Sequence, residues 1–288
     1  MKALFICPSE RPTVASLSAA APLVAAPALG QTLLEYWLSH AASAGFKEVE
    51  LLVHDRNEHI QALAGNGERW GLTIRVAKES RELTPAQAQL KYCSELIGDT
   101  ERNLITALDH FPKGPRSPLF GGYQDWYKGL LEWIPYAVTA DRVGMHEVRP
   151  GIWQGAHSHI SDKARLHAPC WVGQHVYVGA GVELGPGCIV EDGAFIEPAA
   201  EVANSWIGPD TFVGQFARIG DSLALGGTLI NWRTNTVAEV PDAFLLCALR
   251  KPRQFGRPGW LARLADLYER NKEEAYDLCK HLILNREG

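Results

Sequence analysis

Aliphatic residues recur at six-residue intervals through much of the second half of the chain. A small or β-branched residue lies two positions before most of them, and glycine directly follows seven of the twelve. These two patterns persist together over twelve repeats, which predicts short strands and tight turns, three strands to each coil of a parallel β-helix. Glycine is expected in the turns because it adopts positive φ freely. The aliphatic positions are Ile160, Leu166, Val172, Val178, Leu184, Val190, Ile196, Val202, Ile207, Val213, Ile219 and Leu225.

The residue before each aliphatic one is expected to point outward, and every third such residue lies on the same face of the coil. Three outward columns follow: Trp153, Trp171, Ile189 and Trp206; His159, Tyr177, Phe195 and Phe212; and Arg165, Glu183, Glu201 and Arg218. Only the third column suits water, because bare aromatic columns would expose a large apolar surface. We therefore expect the two aromatic faces to be covered by the N-terminal region, by a C-terminal helix or by another subunit.

The last part of the chain predicts a basic loop followed by an amphipathic helix. In the segment WLARLADLYERNKEEAYDLCKHLIL, apolar residues lie on one helical face and charged residues on the other. The open end of a stack of strands needs a cap, so we expect this helix to cap the β-helix or to cover an aromatic face. The basic cluster is expected to be a solvated loop and consists of Arg250, Lys251, Arg253 and Arg257.

In the first half of the chain, apolar runs typical of buried strands alternate with segments of helical periodicity. The strand-like runs are residues 2–7, 48–55, 72–79 and 103–111, and the helix-like segments are residues 32–46, 56–71 and 121–138. Thr32 and Glu35 form a capping-box pattern at the first helix. This alternation predicts a parallel sheet with right-handed crossovers. Ligands of such sheets bind beyond the carboxyl ends of the strands, where the loop from Pro8 to Gln31 is expected to lie.

The composition is typical of a globular protein, with 288 residues, 46% of them hydrophobic and 21% charged. The net formal charge of −5 gives no general attraction to nucleic acid or to an anionic membrane. The first apolar run is too short for a signal peptide and is followed by Glu10 and Arg11, so we expect a cytoplasmic protein. The six cysteines show no C-x-x-C spacing. Cys170 and Cys188, one coil apart, are expected to be reduced core residues rather than a disulfide.

Two segments resemble parts of one enzyme family. The stretch APALGQTLLEYWLSHAASAGFKEVELLVHDRNEHI is similar to the segment of sugar-1-phosphate nucleotidyltransferases in which a G-K-P-L-I element opens the first helix. The stretch EVRPGIWQGAHSHISDKARLHAPCWVG resembles the start of that family's hexapeptide β-helix. The resemblance implies an α/β plus β fold: a shortened Rossmann-like nucleotidyltransferase domain (residues 1–150), a left-handed parallel β-helix (151–240), and a basic loop with a C-terminal α-helix (241–288).

The chain departs from this family where the nucleotide phosphates bind. The family's first loop is G-x-G-T-R-L-like, whereas CPSERPTVASL here contains no glycine, and Pro22 and Leu23 stand where the family has its phosphate-binding P-K pair. In place of the family's loop, Ser9 and Arg11 are candidate anion-binding residues that substitute for it rather than match it, and Gly30 is a further ligand-binding candidate. The resemblance implies Asp109 as the metal-binding residue, and Arg11 and Asp109 are the catalytic candidates. Mg²⁺ is the implied cofactor if the protein is active. Without the lysine and the glycine loop, we expect little or no pyrophosphorylase activity.

We therefore expect a nucleotidyltransferase-like protein of nucleotide-sugar metabolism, with weakened or lost catalysis, that forms a homo-oligomer through its β-helix. It would bind a nucleotide or sugar nucleotide, or act as a regulator or subunit. Three alternatives stay open: an active nucleotidyltransferase with non-standard residues, a hexapeptide acyltransferase with a histidine general base, and a purely structural assembly protein. The histidines that raise the acyltransferase alternative, or a metal site, are His157, His159, His167 and His175. GGTLINW resembles a segment near the acetyl-CoA site of bifunctional uridylyltransferases, but no histidine precedes it closely here.

Overall fold

The structure is a computed structural model that describes residues 2–92, 104–138 and 144–249. These residues all belong to one compact unit, Met1–Arg250. The predicted C-terminal helix and the basic cluster lie outside the described residues, as do Cys93 and Cys279. None of the described helices is long and apolar enough to cross a membrane.

The first half forms an α/β layer around a parallel sheet, as predicted. Its helices are α1 (Leu33–Ser43), α2 (Asn57–Ala64), α3 (Pro85–Tyr92) and α4 (Tyr123–Ala137). Its strands are β1 (Lys2–Ile6), β2 (Pro27–Ala28), β3 (Gln31–Thr32), β4 (Glu48–Val53), β5 (Thr73–Lys78) and β6 (Leu104–Ala107). The main sheet has the order β5-β4-β1-β6 with parallel pairing throughout, and β2 and β3 form a separate hairpin.

Local sequence signals explain most of these elements. The predicted capping box of α1 is confirmed, because the Thr32 side chain accepts from the Glu35 amide and the Glu35 carboxylate accepts from the Thr32 amide. Helix α3 was not among the predicted elements; its described residues bury only Ala88, so it has almost no apolar periodicity to detect. The long first loop is also more structured than expected, since it contains two 3-10 turns and the β2–β3 hairpin.

The second half consists of short strands stacked in three sheets. The strands are β7 (Met145–Arg149), β8 (Ile152–Gly155), β9 (His159–Ile160), β10 (Arg165–Leu166), β11 (Cys170–Val172), β12 (Tyr177–Val178), β13 (Glu183–Leu184), β14 (Cys188–Val190), β15 (Phe195–Ile196), β16 (Glu201–Ala203), β17 (Ser205–Ile207), β18 (Thr211–Val213), β19 (Arg218–Gly220), β20 (Ser222–Leu225), β21 (Thr228–Asn231), β22 (Thr236–Glu239) and β23 (Leu246–Ala248). Successive strands from β8 to β20 enter the three sheets in rotation, an arrangement compatible with the predicted β-helix.

The strand register confirms the predicted columns. Trp171 pairs with Trp153 and Ile189, Tyr177 pairs with His159 and Phe195, and Glu183 pairs with Arg165 and Glu201. Cys170 and Cys188 are likewise in register, and both are buried free thiols as predicted. Antiparallel strands flank the stack: β7 pairs with β8, β21 with β20, β22 with β21, and β23 with β18.

The glycines that follow the aliphatic residues have a different role from the expected one. Among these seven, only Gly185 and Gly226 have a positive φ. A Cβ at Gly179 would lie 2.6 Å from the backbone nitrogen of Pro198 in the next coil. Glycine is therefore needed mainly because adjacent coils approach closely. Many left-handed turn positions of the repeat carry other residues, among them His157, His175, Ala199, Asn204, Asp210, Phe216 and Asp221.

The three faces of the stack have different surroundings. On the first face, Trp171, Ile189 and Trp206 are fully buried in one apolar core together with α4, so the predicted cover by the N-terminal region is confirmed. The rings of the second column stack on one another and remain partly exposed within the described part of the chain. The third column forms ion pairs, Arg165 with Glu183 and Arg218 with Glu201, as suits a solvated face.

Candidate functional site

The parallel sheet has a topological switch point beside its first strand. Because β1 lies between β4 and β6, the chain adds strands first on one side of β1 and then on the other. Open α/β sheets bind ligands at such points, beyond the carboxyl ends of the strands. We call the charged and polar residues at this edge the strand-end site; they are Ser9, Glu10 and Arg11 after β1, Asp55 and Arg56 after β4, Glu82 after β5, and Asp109 and His110 after β6.

Two backbone amides after β1 donate hydrogen bonds to carboxylate side chains of the same chain. The Ser9 amide donates to Glu82 Oε2 at 2.9 Å, and the Glu10 amide donates to Asp55 Oδ2 at 3.1 Å. Both contacts join residues far apart in sequence, so the loop after β1 is tied to the loops after β5 and β4. The amides that a phosphate-binding loop would present to a ligand are here bonded within the protein.

The two guanidinium groups of the strand-end site are also paired within the protein. Arg11 donates from Nη2 to Glu82 Oε1 at 2.6 Å and from Nη1 to the Ser9 carbonyl oxygen at 3.2 Å. Arg56 forms an ion pair with Glu10 and donates from Nη1 to the Ser18 carbonyl oxygen at 2.5 Å. Neither side chain is poised as an unpaired cation for an incoming phosphate.

These contacts set the electrostatics of the strand-end site. Burial raises the pKa of Glu82, but hydrogen bonds from Arg11 and from the Ser9 amide outweigh burial, so the pKa lies below its usual value. At the end of β1, burial raises the pKa of Cys7 well above the usual value, and the charges of Asp55 and Glu82 raise it further. Cys7 is therefore a neutral buried thiol at physiological pH, which excludes it as a nucleophile.

Asp109 lies at the same edge, after β6. Its Oδ1 is 2.8 Å from His110 Nδ1, and the His110 carbonyl oxygen accepts from Trp37 Nε1 at 2.8 Å. The Asp109 side chain is half exposed, and its charge contributes, after that of Glu82, to raising the pKa of Arg11. The described residues contain no group of three or more side chains arranged to hold a metal ion.

Gly30 lies elsewhere, in the turn of the β2–β3 hairpin. Leu29 and Gly30 both have positive φ, and their amides donate to Glu191 Oε1 at 2.6 Å and Oε2 at 2.7 Å. Successive backbone amides of this kind form a concave nest that suits an acidic group, and here the Glu191 carboxyl group of the repeat region occupies it. Trp206 Nε1 donates to Glu191 Oε1 at 2.9 Å, which completes a buried junction between the two halves of the compact unit.

Glu191 is fully buried, and burial raises its pKa to about 7. Hydrogen bonds from the three N–H donors lower the pKa of Glu191 but do not outweigh burial. The nearby charge of Asp192 raises the pKa further. Glu191 follows the aliphatic Val190, at a position where most coils have glycine. A charged residue at such a position is a weak signal, since Glu197 stands at the equivalent position after Ile196 and accepts from the exposed Gln215 amide instead.

The structure brings together three of the four candidate site residues. Ser9, Arg11 and Asp109 lie at the strand-end site, whereas Gly30 contacts the repeat region. Sequence reasoning missed the partners that occupy the site, Glu10, Asp55, Arg56 and Glu82. The only available signal for Asp55 and Glu82 was their position just after predicted strands.

The histidines of the repeat do not converge on a single site. His157 and His175 lie one coil apart with stacked rings, 5.0 Å between centroids, and both are exposed. His159 instead stacks on Tyr177 in the second column, at 5.5 Å. Among the residues that the structure describes, these histidines belong to no group of three or more side chains that could hold a metal ion.

No protein-family model matches the chain, and no curated protein matches it. The fold and the strand-end site are therefore the basis for proposing its class.

Proposed function

We propose that this is a nucleotidyltransferase-like protein of nucleotide-sugar metabolism that has weakened or lost pyrophosphorylase catalysis and has a ligand-binding, regulatory or subunit role. The proposal includes the finer fold implied by the resemblance: a shortened Rossmann-like domain followed by a left-handed β-helix. One observation carries it. At both loops with candidate ligand contacts, backbone amides donate hydrogen bonds to acidic side chains of the chain itself. The acceptors are Glu82 and Asp55 after β1, and Glu191 at the β2–β3 turn.

Charge supports the loss of catalysis. Nucleotidyl transfer requires cations that neutralise charge developing on the α-phosphate. At the strand-end site, Arg11 is already paired with Glu82, and Arg56 is already paired with Glu10. While these pairs persist, neither guanidinium group is available to balance the charge of an incoming nucleoside triphosphate.

The implied magnesium ion does not fit the described residues. Magnesium is commonly held by one or two carboxylates together with substrate phosphates and water. Asp109 has one oxygen engaged with His110, and the neighbouring carboxylates of Asp55 and Glu82 are bonded to the loop after β1. The described residues therefore form no ready set of ligands, and we derive no catalytic step through a metal.

Retention of the scaffold supports a remaining binding role. The parallel sheet and its switch point are intact, and the β2–β3 hairpin connects this layer to the stacked repeat through Glu191. A nucleotide sugar carries fewer negative charges than a triphosphate, so it meets less repulsion at this edge.

Pyrophosphate exchange tests the catalytic part. The full chain is incubated with labelled pyrophosphate, Mg²⁺ and a panel of nucleotide sugars, with an active pyrophosphorylase in parallel. We expect no exchange above the enzyme-free control. Exchange comparable to that of the active enzyme, and abolished in Asp109→Asn, would refute the proposal.

Thermal denaturation with the same nucleotide sugars tests the binding part. We expect stabilisation by at least one of them without Mg²⁺, since a ligand that binds only the folded state raises its stability. If none stabilises the protein, the ligand-binding role is wrong and the regulatory or subunit role remains.

A further inference from the structure

Glu82 contacts the loop after β1 in the way that a bound anion would. We propose that the Ser9 amide and the Arg11 guanidinium form a binding site for a small oxyanion of carboxylate or phosphate type, which Glu82 occupies and keeps closed. This inference deepens the proposed function and rests on it. In this proposal, the donors of the strand-end site are still present, and Glu82 blocks them from a dissolved ligand.

The contact geometry is that of a ligand. Glu82 uses both carboxylate oxygens, one on the Ser9 amide at 2.9 Å and the other on Arg11 Nη2 at 2.6 Å. A backbone amide next to a guanidinium fork is the donor set that proteins use for carboxylate and phosphate oxygens. The adjacent Glu10 amide donates to a second carboxylate, that of Asp55, so two consecutive amides are engaged by anionic groups.

Glu82 reaches this position from a distant strand. Its loop follows β5, and β4 lies between β5 and β1, so the loops after β5 and β1 meet near the carboxyl end of β4. The segment between β5 and α3 therefore covers part of the edge where α/β sheets bind their ligands.

The covering segment is anchored on both sides of Glu82. Before it, the Glu79 amide donates to the Val53 carbonyl oxygen, and the Glu79 carboxylate accepts from Lys91 Nζ at 2.8 Å. After it, Thr84 and Gln87 cap each other at the start of α3. Leu83 also packs against the apolar cluster of Ile6, Leu52 and Ala88, so residues 80–82 are the stretch that has to move when Glu82 leaves its site, and β5 and α3 can stay in place.

Competition by a dissolved anion is feasible because the pair is accessible to solvent. The side chains of Arg11 and Glu82 are 37% and 26% exposed. Ion pairs at such positions contribute modestly to stability, so we expect a dissolved oxyanion to compete with the Glu82 carboxylate for Arg11 and the Ser9 amide.

Titration with inorganic pyrophosphate in the absence of Mg²⁺ tests the inference. Binding is measured by calorimetry for the full-length protein, Glu82→Ala and Glu82→Ala/Arg11→Ala. We expect Glu82→Ala to bind about tenfold more tightly than the unmodified protein, which corresponds to about 1.4 kcal/mol. The double variant is expected to lose this gain. Glu183→Ala, which removes the exposed partner of Arg165, is the matched control and should bind as the unmodified protein does.

Two outcomes would overturn the inference: unchanged affinity in Glu82→Ala, or equal gains in the single and double variants. If Glu82→Ala does not fold, Glu82→Gln replaces it, since the amide retains an acceptor for Ser9 but loses the charge that competes with the ligand. These results are independent of the exchange assay. Failure here leaves the proposed function standing, whereas pyrophosphate exchange by the unmodified protein refutes that function whatever Glu82 does.

Discussion

Replacing Glu191 by glutamine tests the buried junction between the β2–β3 hairpin and the repeat. The pKa of Glu191 rises from the ordinary value of 4.5 to about 7, chiefly through burial. Because the folded state disfavours the ionised form, the protonated carboxyl stabilises the fold. That contribution is fully present below about pH 4.5 and is lost as the pH rises through 7. From the size of this shift, the unfolding free energy should fall by roughly 2–3 kcal/mol between pH 5 and pH 8.

Glutamine is nearly isosteric but does not titrate, so Glu191→Gln should lack this component of the pH dependence. Its amide group also places an N–H donor against one of the hairpin amides, a mismatch that costs about 1–3 kcal/mol at every pH. Urea unfolding of both proteins at half-unit steps from pH 5 to pH 8 measures the difference. Glu183→Gln, at an exposed carboxylate, should retain the slope of the unmodified protein. Parallel curves for Glu191→Gln and the unmodified protein would show that Glu191 stays ionised throughout and that the reasoning from burial is wrong.

Three further substitutions test how the fold is stabilised. Thr32→Ala removes the capping box of α1 and should lower the unfolding free energy by about 1 kcal/mol in urea denaturation, whereas an unchanged value would show that the cap is dispensable. Tyr127→Phe removes the 2.7 Å hydrogen bond to the Gly187 carbonyl oxygen and should cost about 1 kcal/mol, measured in the same way; no loss would mean that water replaces the hydroxyl. Gly179→Ala should destabilise by about 3 kcal/mol or more, at or above the upper end of the usual range for point mutations, because its Cβ meets backbone of the next coil. Gly220→Ala, where no atom lies within 4 Å of the added Cβ, should have little effect, and equal melting temperatures for these two variants would contradict the role assigned to close coil approach.

Sequence patterns predicted the parts of the fold that depend on repetition. The six-residue period defines which residues share a column, and the pairing of Trp171 with Trp153 and Ile189 follows from it directly. The six-residue period did not reveal why glycine follows so many of the aliphatic residues. That reason depends on φ angles and on distances between coils, which periodicity does not encode. Helix α3 escaped detection for a related reason: with only Ala88 buried in its described residues, it presents no apolar stripe.

The candidate site was less predictable because its contacts are long-range. Ser9 and Arg11 were identified from their place after the first strand, but their partner Glu82 lies more than seventy residues away. Pairing between loops depends on strand order, and the order β5-β4-β1-β6 is only one of those that an alternating chain permits. Glu191 shows the same limit, since its partners are main-chain amides of Leu29 and Gly30, which carry no side-chain signal.

The antiparallel strands at the ends of the stack limit how molecules can pair end to end and how the repeat can lengthen. At one end β21 and β23 pair against β20 and β18 in the opposite direction, and at the other β7 does the same to β8. Two molecules therefore cannot continue the parallel ladder of the eight-stranded sheet, whereas β9, β10 and β19 are outermost described strands with parallel pairing in the other two sheets. We therefore expect the repeat to lengthen in evolution by duplication of interior coils, while the antiparallel strands at its ends are retained.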